Sequence, residues 1–185
     1  MENKIAIATP TNRGIKAETY LSLINMAISY KQNLLPIVAT EGYTISENRH
    51  YLVAKAIREE CTHILFVDDD MIFPPDTLER LLKHNKDIIG VNANSRSFPL
   101  KSTVEPLDKI GEGLFQCKAV GGGVLLINLD VFKHIDTPWF STKTHENGFT
   151  LMGEDSWFCE KAREAKYSIW CDGSIKIGHI GQFVY

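Results

Sequence analysis

Apolar runs alternate with helical periods through the first half of the chain. Residues 4–8, "KIAIA", form a short apolar run ending at Thr9 and Pro10 and predict a strand. Between 15 and 31, Leu21, Ile24, Ala27 and Ile28 keep helical spacing. A second strand is expected at 34–39, "LLPIVA". Ser46 can cap a helix running to about Cys61, with Leu52, Val53, Ala56 and Ile57 on one face. A third strand, "HILFV", covers 63–67. Pro74, Pro75 and Asp76 then open a helix, because proline is tolerated in a first turn and aspartate suits its positive end; Leu78, Leu81 and Leu82 give that helix an apolar face. A fourth strand lies at 87–93. These strands are nearly continuous apolar runs, as in a parallel sheet covered on both faces.

The second half follows another pattern. Residues 113–129, "GLFQCKAVGGGVLLINL", read as two strands or one bent strand, with a short helix after them at 129–135. The segment 137–152 has no clear period and is expected to be loop. A helix over 154–166 aligns Phe158, Ala162 and Ala165, and "YSIWCD" and "SIKIGHI" are closing strands. The reading is one α/β, sheet-centred domain, with a nucleotide-binding half at 1–93 and a mixed half at 94–185.

Composition narrows the class. The 185 residues are 44% hydrophobic and 23% charged, as in a globular domain with a real core. A formal net charge of -3 argues against a broad nucleic-acid footprint. No apolar run approaches the roughly 20 residues that span a bilayer, and the N-terminus does not read as a signal peptide. Cys61, Cys117, Cys159 and Cys171 are widely spaced and contain no C-x-x-C pair, so they are expected to be reduced cysteines of a cytoplasmic protein.

The chemistry is expected where the third strand ends, in "DDD" at 68–70, because ligands bind at the carboxyl ends of strands in open parallel sheets. Alternation along the strand lets Asp68 and Asp70 converge, as two carboxylates suited to Mg²⁺ or Mn²⁺ that would in turn hold phosphate oxygens. Asp69 is turned away; it is counted on the nucleotide side by position and given no chemistry of its own. A solvated acidic loop or helix caps explain the same aspartates equally well. Glu154 and Asp155 open a helix, where the helix dipole favours acids, and one of them can instead be a general base. His179, between two glycines, is either structural or the completing ligand of a cation site begun by Asp70. Gly121, Gly122 and Gly123 mark a bulge, a bend or the close approach of a ligand. Arg13, in the loop after the first strand, and Asn48 and Arg49, at the start of the second helix, can meet an anion or stand in solvent. No phosphate-binding P-loop, dinucleotide fingerprint or serine-hydrolase elbow is present.

Taken together, "ENR", "ILFVDDDMIFPPDTLERLL", "AVGGGVLLINLDVFKHI", "PWF" and "GEDSWFCEKAREAKYSIWCDGSIKIGHIG" resemble, in this order, the small family 2-like glycosyltransferases of the GT-A fold found in bacteria and phages. The resemblance covers nearly the whole chain. It implies a mostly parallel, Rossmann-like mixed sheet flanked by helices. It implies Asp70 as a metal ligand, Asp68 at the ribose or at the metal through water, and His179 joining the metal. Thr9, Pro10 and Arg13 would form the nucleotide edge, Asn48 and Arg49 a pair near the base or phosphate, and Gly121, Gly122 and Gly123 the strand lining the donor sugar and acceptor. Asp155 would be the base and Glu154 its neighbour at the helix start. The implied cofactors are Mn²⁺ or Mg²⁺ and a nucleoside-diphosphate sugar, with a UDP-sugar first. Many members end the second strand in adjacent aspartates, whereas this chain offers Glu41. Larger members continue beyond the histidine with acceptor-binding or membrane-associated segments. The acceptor here (a saccharide, protein, lipid-linked glycan or modified nucleobase) is therefore expected to meet 92–105, 137–152, a partner protein or another copy in an oligomer. Trp139, Phe140 and Trp157 can stack on a sugar or fill the core. The rival readings are a non-catalytic sugar-nucleotide or carbohydrate-binding module and a nucleotidyltransferase.

Overall fold

The strand at Ile5–Pro10, β1, is buried at every position, as a strand must be when both sheet faces are covered. The computed structural model describes residues 3–31, 33–39, 44–96 and 99–181; Glu41 lies outside them. After β1 come α1 (Ala17–Tyr30), β2 (Leu34–Ala39), α2 (Ile45–Arg58), β3 (His63–Val67), β4 (Met71–Ile72), α3 (Thr77–Lys83) and β5 (Ile88–Gly90). The second half contributes β6 (Glu105–Pro106), β7 (Leu114–Ala119), β8 (Val124–Asn128), a 3₁₀ turn (Leu129–Lys133), β9 (Lys143–Thr144), β10 (Thr150–Met152), α4 (Glu154–Glu164), β11 (Ile169–Asp172) and β12 (Gly178–His179).

Eight strands form one mixed sheet in the order β2-β1-β3-β8-β5-β11-β7-β6. The β1–β2, β1–β3 and β5–β11 pairs are parallel, while β8 and β7 run against their neighbours. Because β8 is inserted between β3 and β5, the two sequence halves interleave in a single sheet. Alternation along β3 sends Ile64 and Phe66 to the layer containing α2 and α4, and Leu65 and Val67 to the layer containing α1 and α3. Each such fully buried side chain contributes about 1.5–3 kcal/mol.

Three features differ from the sequence expectation. First, α1 does not present its most regular apolar stripe to the core. Leu21 and Ile28 are 58% and 65% exposed, while Thr19, Ser22 and Met26 are buried. Ser22 Oγ accepts the Phe73 N–H at 3.4 Å, so a packing contact with the segment after β4 sets the buried face. Second, Thr44, not Ser46, caps α2. Thr44 and Glu47 form a reciprocal capping box, which ties up two otherwise orphaned N–H groups. Third, the expected loop at 137–152 contains the β9–β10 hairpin, which leads directly into α4.

Candidate active site

The three aspartates after β3 diverge. Asp68 turns towards α2, where Arg49 Nη2 donates to its Oδ1 at 2.6 Å. Asp69 accepts from the Thr11 hydroxyl, and its carbonyl accepts from Lys16 N, so it fastens the loop after β1. Asp70 is 6% exposed and faces β12, which pairs antiparallel with β4 and sets His179 opposite Met71. A neighbouring buried arginine thus engages Asp68, while Asp70 faces His179.

Arg49 is also placed differently from the donor-side role expected of it. It is only 2% exposed, with Nη1 reaching the Gly122 carbonyl at 3.4 Å and its guanidinium 5.0 Å from the centre of the Phe66 ring. Nε lies 3.6 Å from Glu154 Oε1, beyond hydrogen-bond reach, so that attraction is Coulombic and Nε has no hydrogen-bond partner. Burial opposes its charge, but Asp68, Glu154 and Asp155 outweigh that and hold its pKa above the ordinary arginine value. It is a strut between the end of β3 and the start of α4. Asn48, fully buried, donates to Asn12 Oδ1 at 2.9 Å and so holds the loop after β1.

The three glycines form the buried turn between β7 and β8. A methyl group on Gly122 would overlap the Arg49 guanidinium, so this close approach is made by the protein's own side chain. The turn also fixes the acidic helix start: Gly122 N–H donates to Asp155 Oδ2 at 3.1 Å, and Ser156 N–H donates to Oδ1 at 2.7 Å. On the other side, Asp68 N–H donates to the Gly123 carbonyl at 2.9 Å. Asp68, the glycine turn, Arg49, Glu154 and Asp155 thus make one connected unit.

Thr9 and Pro10 end β1 in buried positions, whereas Arg13 is exposed beyond them. Arg13, Lys16 and Arg96 line a crevice of about 150 Å³ together with Asp69, Asp70, Ile180 and Gly181. Such a crevice, with three cations beside two carboxylates at a strand end, suits a diphosphate bound with a cation. A larger groove of about 350 Å³ between α1 and β2 is apolar and contains none of these carboxylates.

Asp70 and His179 can be tested as cation ligands. Among the described residues no group of three His, Cys, Asp or Glu could hold a metal ion. His179 Nε2 does lie 3.2 Å from Asp70 Oδ1, and its Nδ1 lies 2.7 Å from the Asn94 carbonyl. That carbonyl can only accept, so Nδ1 donates to it, the outer-shell arrangement common to metal-binding histidines; Nε2 faces the carboxylate, donating to it when the ring is protonated and offering a lone pair to a cation when it is not. The Asp70 contact raises the His179 pKa against the effect of burial. Burial alone would raise the Asp70 pKa, but His179 and Arg96 bring it below the usual carboxylate range. A carboxylate and an oriented imidazole fit a divalent cation that completes its shell with phosphate oxygens and water.

Sequence reasoning missed Thr11, Asn12, Lys16, Asn94 and Arg96. Asn94 and Arg96 fall in the segment assigned to the acceptor, and nothing in their local pattern marks them as neighbours of Asp70. Trp139 and Phe140 prove to be packing residues. The Trp139 indole donates to the Phe132 carbonyl at 3.2 Å and stacks on His50, and Phe140 stacks on Phe158 at 4.8 Å. Trp157 lies under Lys143, whose Nζ is 4.2 Å from the ring centre.

No protein-family model matches the sequence, and no curated protein matches it. Solved structures do match. The chain is similar to A197 from STIV, with a TM-score of 0.69 and 15% identity over 97% of this chain and 86% of that one. The GT-A fold is shared. The chain is also similar to GalNAc-T7, solved with UDP, GalNAc and Mn²⁺ (TM-score 0.58, 11% identity, 98% of this chain and 44% of that one). A third similarity is to the inositol-1-phosphate CTP transferase from T. maritima (TM-score 0.55, 13% identity, 97% and 90%). The neighbours of this GT-A-type domain are thus glycosyltransferases together with nucleotidyltransferases, at identities that establish the fold alone. No helix among the described residues is long and apolar enough to cross a membrane.

Proposed function

We propose that the chain is a cation-dependent glycosyltransferase that transfers a sugar from a nucleoside-diphosphate sugar, a UDP-sugar first, to an acceptor hydroxyl. The observation that carries this reading is the pairing of Asp70 with His179 beside the cationic crevice of Arg13, Lys16 and Arg96. Asp70 and His179 would hold Mn²⁺ or Mg²⁺, which when bound offsets charge on the departing diphosphate. Arg13 and Lys16 bind phosphate oxygens. Asp69 and Asn48 keep the loop after β1 in place for the nucleotide. Asp155, oriented by two backbone N–H groups, takes the proton of the acceptor hydroxyl. The acceptor oxygen bonds to the anomeric carbon, the bond from that carbon to the diphosphate oxygen breaks, and configuration inverts. Glu154 and Arg49 hold the start of α4. The acceptor would be met by 92–105, by 137–152 or by a partner.

A second reading, nucleotidyl transfer, is favoured by the similarity to the CTP transferase over 90% of its length. One assay separates them. UDP-, GDP-, CMP- and dTDP-sugars are incubated with Mn²⁺ or with chelator, and released nucleotide is measured. In parallel, nucleoside triphosphates with sugar phosphates are assayed for pyrophosphate. Cation-dependent release of nucleoside diphosphate supports the glycosyltransferase; pyrophosphate release alone overturns it.

A further inference from the structure

Each oxygen of Asp70 faces a nitrogen, Oδ1 that of His179 and Oδ2 that of Arg96, and the two partners are held very differently. His179 belongs to β12, is 17% exposed at its side chain and is anchored through Asn94. Arg96 reaches over from the segment between β5 and β6, and its Nη1 donates to Oδ2 at 2.7 Å. Its side chain is 57% exposed and makes no other ion pair among the described residues. A guanidinium on a long, solvated stem can leave its partner without any change in the sheet. It also lines the same crevice as Arg13 and Lys16, where the diphosphate is expected.

We propose that Arg96 is a placeholder for the divalent cation. It neutralises Asp70 Oδ2 while the site holds no donor, yields that oxygen when the cation arrives, and then binds a phosphate oxygen of the same diphosphate. Electrostatics requires the first move, because a dication on Asp70 repels a guanidinium a few ångströms away. The second follows from the guanidinium's planar fork, which suits phosphate as well as carboxylate. Cation and nucleotide therefore assist one another's binding, with Arg96 carrying part of the coupling. The inference rests on the donor reading given above.

Calorimetric titration of Mn²⁺ into wild type, Arg96→Ala and Arg96→Lys, with and without UDP, tests it. Without UDP, Arg96→Ala is expected to bind Mn²⁺ about five-fold more tightly, the scale of a partly exposed ion pair. In the presence of Mn²⁺ the same variant is expected to bind UDP more weakly. Arg96→Lys, which keeps the charge but loses the planar fork, stays near wild type for Mn²⁺ alone and falls between wild type and Arg96→Ala for UDP. Equal or weaker Mn²⁺ binding by Arg96→Ala overturns the placeholder role and leaves the donor reading intact if wild type binds UDP with Mn²⁺. Tighter Mn²⁺ binding with unchanged UDP affinity overturns the transfer to phosphate. If neither wild type nor Arg96→Ala binds Mn²⁺ in any condition, the donor reading and the placeholder fail together. The exposed position means that an unchanged melting temperature is expected for both variants.

Discussion

Arg49 Nη2 donates to Asp68 Oδ1 at 2.6 Å from a side chain that is 2% exposed, and the same guanidinium faces Glu154 at 3.6 Å. Removing one member of a buried ion pair leaves the other uncompensated. Asp68 and Glu154 keep some solvent contact, at 30% and 22% exposure, so the cost falls at the lower end of the usual range. Arg49→Met is expected to lose about 3 kcal/mol in urea unfolding. A loss under about 1 kcal/mol would show that the strut is dispensable.

Gly122 and Gly148 make a matched pair of alanine substitutions. Gly148 has φ +87° and open space where a side chain would go, so Gly148→Ala is expected to cost about 1 kcal/mol through backbone strain alone. In Gly122→Ala the new methyl group collides with the Arg49 guanidinium, for an expected loss of about 3 kcal/mol. Melting temperatures of the two variants give the order; the reverse order would mean that the turn can shift to admit a side chain.

Asp155→Asn keeps the shape of the acid and can still accept from Gly122 N–H. Under the proposed mechanism it is expected to lower transfer by about 10²–10⁴-fold, with UDP affinity unchanged. Full transfer activity in this variant would remove Asp155 as the base.

Asp172, at the end of β11, is 2% exposed and accepts from Ser174 N–H at 2.8 Å, with His84 Nε2 2.9 Å away. Burial pushes its pKa up, but the Ser174 and His84 contacts outweigh that and place it below the usual carboxylate value. A depressed folded-state pKa stabilises the fold above the unfolded pKa of about 3.9, and the benefit is lost as pH falls through the folded value. Asp172→Asn is therefore expected to be less stable than wild type at pH 7, with the gap closing in strong acid. Urea midpoints across that window check it; a gap that persists at low pH would point to packing, not charge.

All four cysteines are buried and free. Burial pushes the thiols of Cys117, Cys159 and Cys171 up to about 12 and raises that of Cys61. Since the thiolate is the reactive form, a thiol reagent at pH 8 is expected to label none of them in the folded protein and all four in urea. Rapid labelling of the native protein would contradict the burial.

The centre of the sheet was legible because β1, β3 and β8 are apolar almost throughout and the punctuation is strong, whereas β6, Glu105–Pro106, has no apolar run to mark it. β2 and β3 fall where their apolar runs are, and the glycine run divides β7 from β8. Helix facing was less legible. In α1 the apolar stripe of Leu21, Ile24 and Ile28 faces out, because a hydroxyl on the other side receives the Phe73 N–H. The candidate site divides in the same way. The Asp70–His179 pairing follows from two strand ends that the sequence marks. Arg49 could not be assigned correctly, since an arginine at a helix start looks the same in sequence whether it greets an anion or is sealed under a glycine turn. Arg96 and Asn94 act through tertiary proximity alone.

The buried glycine turn also bears on how this molecule can change. Its three residues are wedged among Arg49, Thr103 and Met71, so the floor beneath Asp68 and Asp155 has almost no room for variation. The rims are different. Phe149 and Leu151 on the β9–β10 hairpin are 74% and 56% exposed, and altering them disturbs no core contact. Under the proposed function, a laboratory seeking a new acceptor would therefore randomise the hairpin and leave the floor untouched.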